Sequence, residues 1–288
     1  MEKRKERIDL EETKEQVREK EAYRRVAAAR AKGRPTGQDY IDNLISDFLE
    51  LHGDRRFGDD PAVITGIGKL KNMPVTVIAM EKGHTTREKV RRNFGSMHPE
   101  GYRKALRQMK QAEKFHRPVF CIVDTSGAYC GIEAEERGQG QAIAENLMEM
   151  MALKTPVITL FIGEGGSGGA LGLAVADQVW MMENAFYSVI SPEGCASILW
   201  KDAGKMEEAA ESLRLTAQDM KRLGVAERVI REPESAREFK QVYYLLEDIL
   251  YDAFQKSLKL PVEELLDLRY ERFRRIGRPE ETGQLKTE

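Results

Sequence analysis

Gly163-Glu-Gly-Gly-Ser-Gly-Gly-Ala170 lies between an apolar run, Pro156–Ile162, and a short helical pattern, Gly169–Ala176. It holds five glycines in seven residues. Glycine loses more conformational freedom on folding than any other residue. It is kept where the backbone needs positive φ or must approach another group closely. At the start of a helix such a stretch leaves N–H groups unpaired and suited to negative charge. Four chemistries compete for it. Gly163-x-Gly165-x-x-Gly168 fits a dinucleotide fingerprint, with Glu183 twenty residues beyond Gly163, but the following helix is short and the motif sits in mid-chain. A phosphate loop fails because no lysine follows the glycines. Gly165-x-Ser167-x-Gly169 fits a serine-nucleophile turn, yet His52, His84, His98 and His116 all precede Ser167, the reverse of that fold's chain order. The fourth reading is an oxyanion hole built from backbone N–H groups alone. Asp124-Thr-Ser-Gly-Ala-Tyr-Cys-Gly131 also follows an apolar run, so two strand-end turns can serve one oxygen atom. The plain alternative is a pair of ordinary tight turns.

Outward from these turns the chain alternates helix and strand. Pro118–Val123, Pro156–Ile162 and Gln178–Met182 read as buried strands, with Tyr102–Phe115 and Glu135–Leu153 as helices between them. Near-continuous apolar strands separated by helices predict a parallel α/β core covered on both faces. Upstream, Ala62–Leu70 and Val75–Met80 read as a strand pair joined at Lys71-Asn72-Met73. The stripe Ile41, Leu44, Ile45, Phe48 and Leu49 predicts one helix over 39–51. Residues 1–32 are densely charged and read as a tail running into an exposed helix, which Gly33-Arg-Pro-Thr-Gly37 breaks. Ala236–Leu258 and Val262–Ile276 read as terminal helices. The expected domains are a charged N-terminal extension (1–37), a main body (38–235), C-terminal helices (236–276) and a loose tail (277–288).

Composition removes several functions. Lys plus Arg number 46 against 48 Asp plus Glu, a net charge of −2, so the basic excess of a nucleic-acid binder is missing. The first residues form no apolar h-region and no 18-residue apolar run is present, so neither export nor membrane spanning is expected. Its three cysteines, Cys121, Cys130 and Cys195, form no CxxC pair, which argues against a zinc ribbon or a disulfide framework. A cytoplasmic protein is expected.

Asp124–Gly131, Ala134-Glu-Glu-Arg-Gly-Gln139, Gly163–Leu171 and Tyr187-Ser-Val-Ile-Ser-Pro-Glu-Gly-Cys-Ala-Ser-Ile-Leu-Trp200 resemble the carboxyltransferase α subunits of bacterial acetyl-CoA carboxylases. So do Arg91-Arg-Asn-Phe-Gly95 and Pro99–Leu106. The resemblance runs from about Tyr40 to Gly277. Ser126 and Cys130 stand where that family has prolines, and Ala79-Met80-Glu81 where it has Gly-His-Gln.

The resemblance implies the α/β fold of the crotonase superfamily, ββα units wound into a superhelix, here with helical extensions at both ends. The implied reaction moves a carboxyl group from biotin, carried on a separate protein, to acetyl-CoA, giving malonyl-CoA for fatty acid synthesis. It needs donors for two developing oxyanions and no protein base. By resemblance, Gly168, Gly169 and Ala170 supply N–H groups to the biotin ureido oxygen, with Gly127 and Ala128 as the companion turn. Gly165, Gly166, Ser167 and Tyr129 would line the substrate site. The charge run Arg87, Lys89, Arg91 and Arg92 offers cations for CoA phosphates, against the commoner reading of such a run as a solvated helix face. The implied partners are a β subunit in an α2β2 heterotetramer, a biotinoyl carrier protein and biotin carboxylase. Zinc is expected on the β subunit and no metal on this chain. The alternatives are a biotin-dependent carboxylase or decarboxylase of another acyl-CoA, and a non-catalytic scaffold.

Overall fold

The computed structural model of the chain describes residues 21–233 and 238–278. The start of the expected N-terminal tail and the chain from residue 279 lie outside them.

The charged segment before Gly33 carries helix α1 (Glu21–Ala29), which is not the exposed helix expected. Ala22, Val26 and Ala29 form a buried stripe against Phe186, Ala210 and Leu215. Alanines make a faint sequence signal, but their small side chains let two backbones come close. Gly33 at φ +86° turns the chain into α2 (Gly37–Leu44), which a Thr36/Asp39 capping box starts. This helix stops at Leu44 and does not run to Leu51. Ser46–Glu50 forms strand β1, antiparallel to β2 (Val63–Leu70). Phe48 and Leu49 fitted a helical period, yet over so few residues periods of 3.6 and 2 overlap. Pairing with the edge of β2 decides for the strand. The expected hairpin is present: β2 joins β3 (Met73–Met80) through a turn at Lys71-Asn72, with Lys71 at φ +54°.

Helices α3 (Thr86–Arg91) and α4 (Pro99–Lys114) lead to β4 (Val119–Thr125), every residue of which is buried. The helix expected over Glu135–Leu153 is two: α5 (Ile132–Glu136) and α6 (Gln139–Met151). Gly138 at φ +81° separates them. The next strand, β5 (Val157–Gly166), runs past the expected end at Ile162 and takes half of the glycine stretch with it. Then come α7 (Ser167–Leu171), β6 (Gln178–Met182), β7 (Phe186–Ser188), α8 (Pro192–Leu199), α9 (Met206–Leu213), α10 (Ala217–Arg222) and β8 (Arg228–Ile230).

One eight-stranded sheet results, in the order β1-β2-β3-β4-β5-β6-β8, with β7 beside the far end of β5. Strands β3, β4, β5, β6 and β8 are mutually parallel, as the buried apolar runs required. In such a sheet the carboxyl ends of neighbouring strands open on one edge, where ligands bind.

Helix α11 (Phe239–Ser257) lays Phe239, Val242, Tyr243, Leu246, Leu250 and Phe254 into the same core as the sheet. Each such side chain contributes roughly 2 kcal/mol when fully buried. Helix α12 (Val262–Arg275) is held differently. Its Arg269 is buried and forks onto Asp177 at 2.8 and 3.0 Å. The same guanidinium donates to the carbonyls of Met150, Leu153 and Thr155 at 2.7, 2.7 and 3.0 Å. Those groups surround the amino-terminal ends of β5 and β6, the end of the sheet away from the glycine turns. Losing Arg269 strands Asp177 and three carbonyls together. Arg269→Met is therefore expected to cost about 3–5 kcal/mol and to lower the melting temperature by roughly 10 °C, read by calorimetry. An unchanged melting temperature would show that α12 is held by its apolar contacts instead.

Candidate active site at two glycine turns

Strands β4 and β5 end side by side, with Thr125 opposite Gly165 as their last rung. The Thr125 hydroxyl donates to the Gly127 carbonyl at 2.7 Å and accepts the Gly127 N–H at 3.1 Å, locking the first turn. Gly127 sits at φ +152°, open to glycine but rarely to other residues. The second turn is pressed onto the first. A Cβ on Gly166 would collide with the Ser126 carbonyl and stand 2.7 Å from the Gly127 nitrogen. One on Gly169 would collide with the Ala128 nitrogen and stand 2.6 Å from the Gly127 carbonyl carbon. Both glycines are therefore required by backbone-on-backbone contact. At Gly168, by contrast, a Cβ would meet nothing within 4 Å. Gly168, and not Gly169, leaves open space for a ligand.

Helix α7 begins at Ser167, which is itself left-handed at φ +50°. The N–H groups of Gly168 and Gly169, in the first turn of α7, find no acceptor among the described residues, and neither does that of Ala128. The buried Tyr102 hydroxyl donates to the Gly169 carbonyl at 3.0 Å and steadies the helix from behind.

This arrangement removes the rival chemistries. Gly163 and Gly165 belong to strand β5, so they make no dinucleotide loop. Glu183 accepts the Glu232 N–H at 3.1 Å and faces Arg25. The hollow that Ser167 lines contains no histidine and no carboxylate to act as its base. His84 faces Asp39 at 2.9 Å, and His98 contacts Asn93 and stacks on Tyr129. Among the described residues, no group of three His, Cys, Asp or Glu side chains could hold a metal ion. No helix among them is long and apolar enough to cross a membrane.

Three hollows meet at the turns. One of about 360 Å³ is mostly apolar and lined by Ser167, Gly168, Leu171, Tyr187, Val189 and Met220. Burial pushes the Tyr187 phenol up to about 12, so it stays protonated near neutral pH. A second, of about 590 Å³, lies between the first turn and the segment after α3, lined by Val90, Phe94, Gly127, Ala128, Tyr129 and Cys130. The third, about 320 Å³, is charged; Arg30, Arg34, Lys82, Asp124 and Glu164 line it together with Ser126.

The structure thus brings together Gly165, Gly166, Ser167, Gly168, Gly169 and Ala170 with Gly127, Ala128 and Tyr129. Arg91 and Arg92 stand apart and line none of these hollows. Arg91 is exposed on α3, and Arg92 donates to the Pro61 carbonyl at 2.9 Å. Ser191 caps α8, accepting the Gly194 N–H at 3.1 Å.

Sequence reasoning missed the ion cluster behind the turns. Lys82, just past β3, places its ammonium 2.7 Å from both Asp124 and Glu164. Arg30 takes the other oxygen of Glu164 at 2.8 Å and reaches Glu193 at 2.7 Å. Burial opposes charge on Lys82, but the two carboxylates outweigh it and hold its pKa above the ordinary lysine value. Burial likewise opposes charge on Glu164, and Lys82 with Arg30 reverses the sign, holding that carboxyl below its usual range. The only sequence signal was an acid two residues before each turn.

The family described as acetyl co-enzyme A carboxylase carboxyltransferase-like matches residues 2–277. The acetyl-coenzyme A carboxylase carboxyl transferase subunit alpha of Ruminiclostridium cellulolyticum is 62% identical over 256 residues, covering 89% of this chain and 98% of that protein. The protein of the same name from Clostridium acetobutylicum is 54% identical over 258 residues, covering 89% and 94%. Among solved structures, the transcarboxylase 12S hexamer aligns with a TM-score of 0.61 at 18% identity, covering 77% of this chain and 42% of that one. A Pseudomonas malonate decarboxylase hetero-tetramer aligns at 0.59 and 19% identity, covering 76% and 91%. At these identities the structural likeness establishes the fold alone, the crotonase-like α/β fold that the resemblance implied. With a family match along nearly the whole chain and relatives more than half identical to it, the chain belongs to the acetyl-CoA carboxylase carboxyltransferase α-subunit family.

Proposed function

We propose that this chain forms the biotin-facing half of a carboxyltransferase that moves a carboxyl group from biotin on a carrier protein to acetyl-CoA, giving malonyl-CoA. In this reading it works in an α2β2 assembly. The β subunit brings the acyl-CoA site and a zinc ribbon, and biotin carboxylase recharges the carrier. Residues 38–235 are the catalytic body, steadied by the helical segments within 1–37 and 236–276.

The observation that carries the reading is the pair of glycine turns packed backbone to backbone, with unpaired N–H groups beside an apolar hollow. That hollow suits a small bicyclic ring with one polar edge, since apolar walls meet a row of donors at Gly168. Biotin, when bound, supplies the carboxyl group and a ureido oxygen on which negative charge grows as that group leaves. The chain's own part is to meet that charge with the N–H groups of Gly168, Gly169 and Ala170. The N–H of Ala128 stands alongside them. Such dipoles are fixed before reaction and need no reorganisation, and one donor is worth on the order of 3 kcal/mol of transition-state stabilisation. Gly168 keeps the approach open. Gly166 and Gly169 keep the two turns in register.

Transfer is measured as malonyl-CoA decarboxylation with free biotin as acceptor. The isolated chain is expected to give none and to gain activity on addition of the β subunit; turnover by the single chain would refute the shared-site reading. Gly168→Val adds a side chain to open space, so assembly and CoA binding should survive while transfer falls by roughly a hundredfold or more. A folded Gly168→Val assembly at wild-type rate would move the oxyanion role elsewhere. Ser167→Ala removes one hydroxyl and should keep transfer within about tenfold. Loss of several orders of magnitude in an intact Ser167→Ala assembly would restore the nucleophile reading.

A further inference from the structure

Asp124 and Glu164 stand two residues before the turns that begin at Ser126 and Gly166. Their side chains are 12% and 11% exposed, and the Lys82 ammonium between them is 2.7 Å from each. Asp124 also accepts the Glu164 N–H at 2.8 Å, so it ties β4 to β5 directly. The backbone crowds this carboxylate and the residue that bears it. A Cβ on Gly163 would stand 2.5 Å from Asp124 Oδ1, and one on Gly95 would stand 2.6 Å from the Asp124 carbonyl. Arg30, from α1, closes the cluster from the other side through Glu164 and Glu193. Two cations thus face three carboxylates. Of the two cations, only Lys82 touches the acids of both strands.

We propose that Lys82 is a positioning residue: its ammonium, held between Asp124 and Glu164, fixes the ends of β4 and β5 relative to each other and so sets the spacing of the two glycine turns. The inference rests on the proposed reaction only for its effect on rate. Two of the three ammonium N–H groups are spent on the two carboxylates, one at the end of each strand, so its influence passes through the strands. Removing it leaves two largely buried like charges with one remaining cation, Arg30, bound to only one of them. Breaking one partner out of such a cluster exposes the rest to uncompensated repulsion. The turns have no slack to absorb the shift, because Gly166 and Gly169 already touch the Ser126–Ala128 backbone. Displacing a catalytic group by about 1 Å can cost on the order of a hundredfold in rate.

The test uses the assembled enzyme with Lys82→Met and, as a stability control, Arg269→Met, whose buried ion pair lies at the opposite end of the sheet. Hydrogen exchange of the segments 124–130 and 163–171 is measured together with steady-state transfer. Lys82→Met is expected to speed exchange in both segments by about tenfold relative to the rest of β4 and β5, whereas Arg269→Met speeds exchange along those strands without singling out the two segments. Lys82→Met should lower kcat by about ten- to a hundredfold with KM for malonyl-CoA within about twofold, a split that general destabilisation does not produce. Unchanged exchange in the two segments, or wild-type kcat in a folded Lys82→Met assembly, overturns the proposal. Should Lys82→Met fail to assemble, Glu164→Gln keeps the shape of the cluster, removes one of its charges and is judged by the same two readings. Loosened segments in an enzyme whose wild type transfers no carboxyl group would leave the positioning role standing and refute the reaction instead.

Discussion

The contact between Gly166 and Gly169 on one side and Ser126, Gly127 and Ala128 on the other leaves no room for one further carbon atom. It joins the ends of two neighbouring parallel strands through main chain alone. Everything near it is arranged so that this contact can form. Strand β5 carries glycines to its last residue and Thr125 pins the first turn with two hydrogen bonds. Tyr102 reaches through the core to hold the Gly169 carbonyl. Because the contact is made by backbone, the donors it presents have almost no freedom to relax, which is what electrostatic preorganisation requires.

Such a contact has costs that the surrounding structure offsets. Ser167 is held left-handed, a conformation that disfavours a side chain by roughly 1–2 kcal/mol. The N–H groups of Ala128, Gly168 and Gly169 are left without an acceptor among the described residues. Five charged side chains are gathered behind the turns, where water does not fully reach them. The offset comes from the sheet: β4 is buried along its whole length and β5 for nine of its ten residues. A rigid, deeply buried strand pair can hold strained ends that a loop on the surface could not.

The charge cluster and the glycine turns also explain why α1 is part of the body. Arg30 comes from the end of α1, whose alanine stripe packs on Phe186 at the start of β7. Strand β7 pairs with Glu164–Gly166, the last rungs of β5. A helix that composition alone made look like a solvated arm therefore reaches the site twice, once through charge and once through packing.

The periodicity of apolar residues by itself determined the parallel core, the β2–β3 hairpin and the places of β4, β5 and β6. Those strands are buried on both faces, and no neighbour can change that requirement. Composition and motif spacing also determined where the two glycine turns lie, since no other residue tolerates their geometry. Tertiary structure decided what short patterns leave open. Ser46–Glu50 became a strand because the edge of β2 was available to pair with it. Gly138 split one expected helix, and half of the glycine stretch joined β5 because β7 lies alongside. It also decided which glycine faces a hollow and which faces a backbone, a distinction between Gly168 and Gly169 that sequence cannot hold. The ion cluster was illegible for the same reason. Arg30, Lys82, Asp124, Glu164 and Glu193 are spread over more than 160 residues, and only the closing of the sheet brings their charges within hydrogen-bond distance.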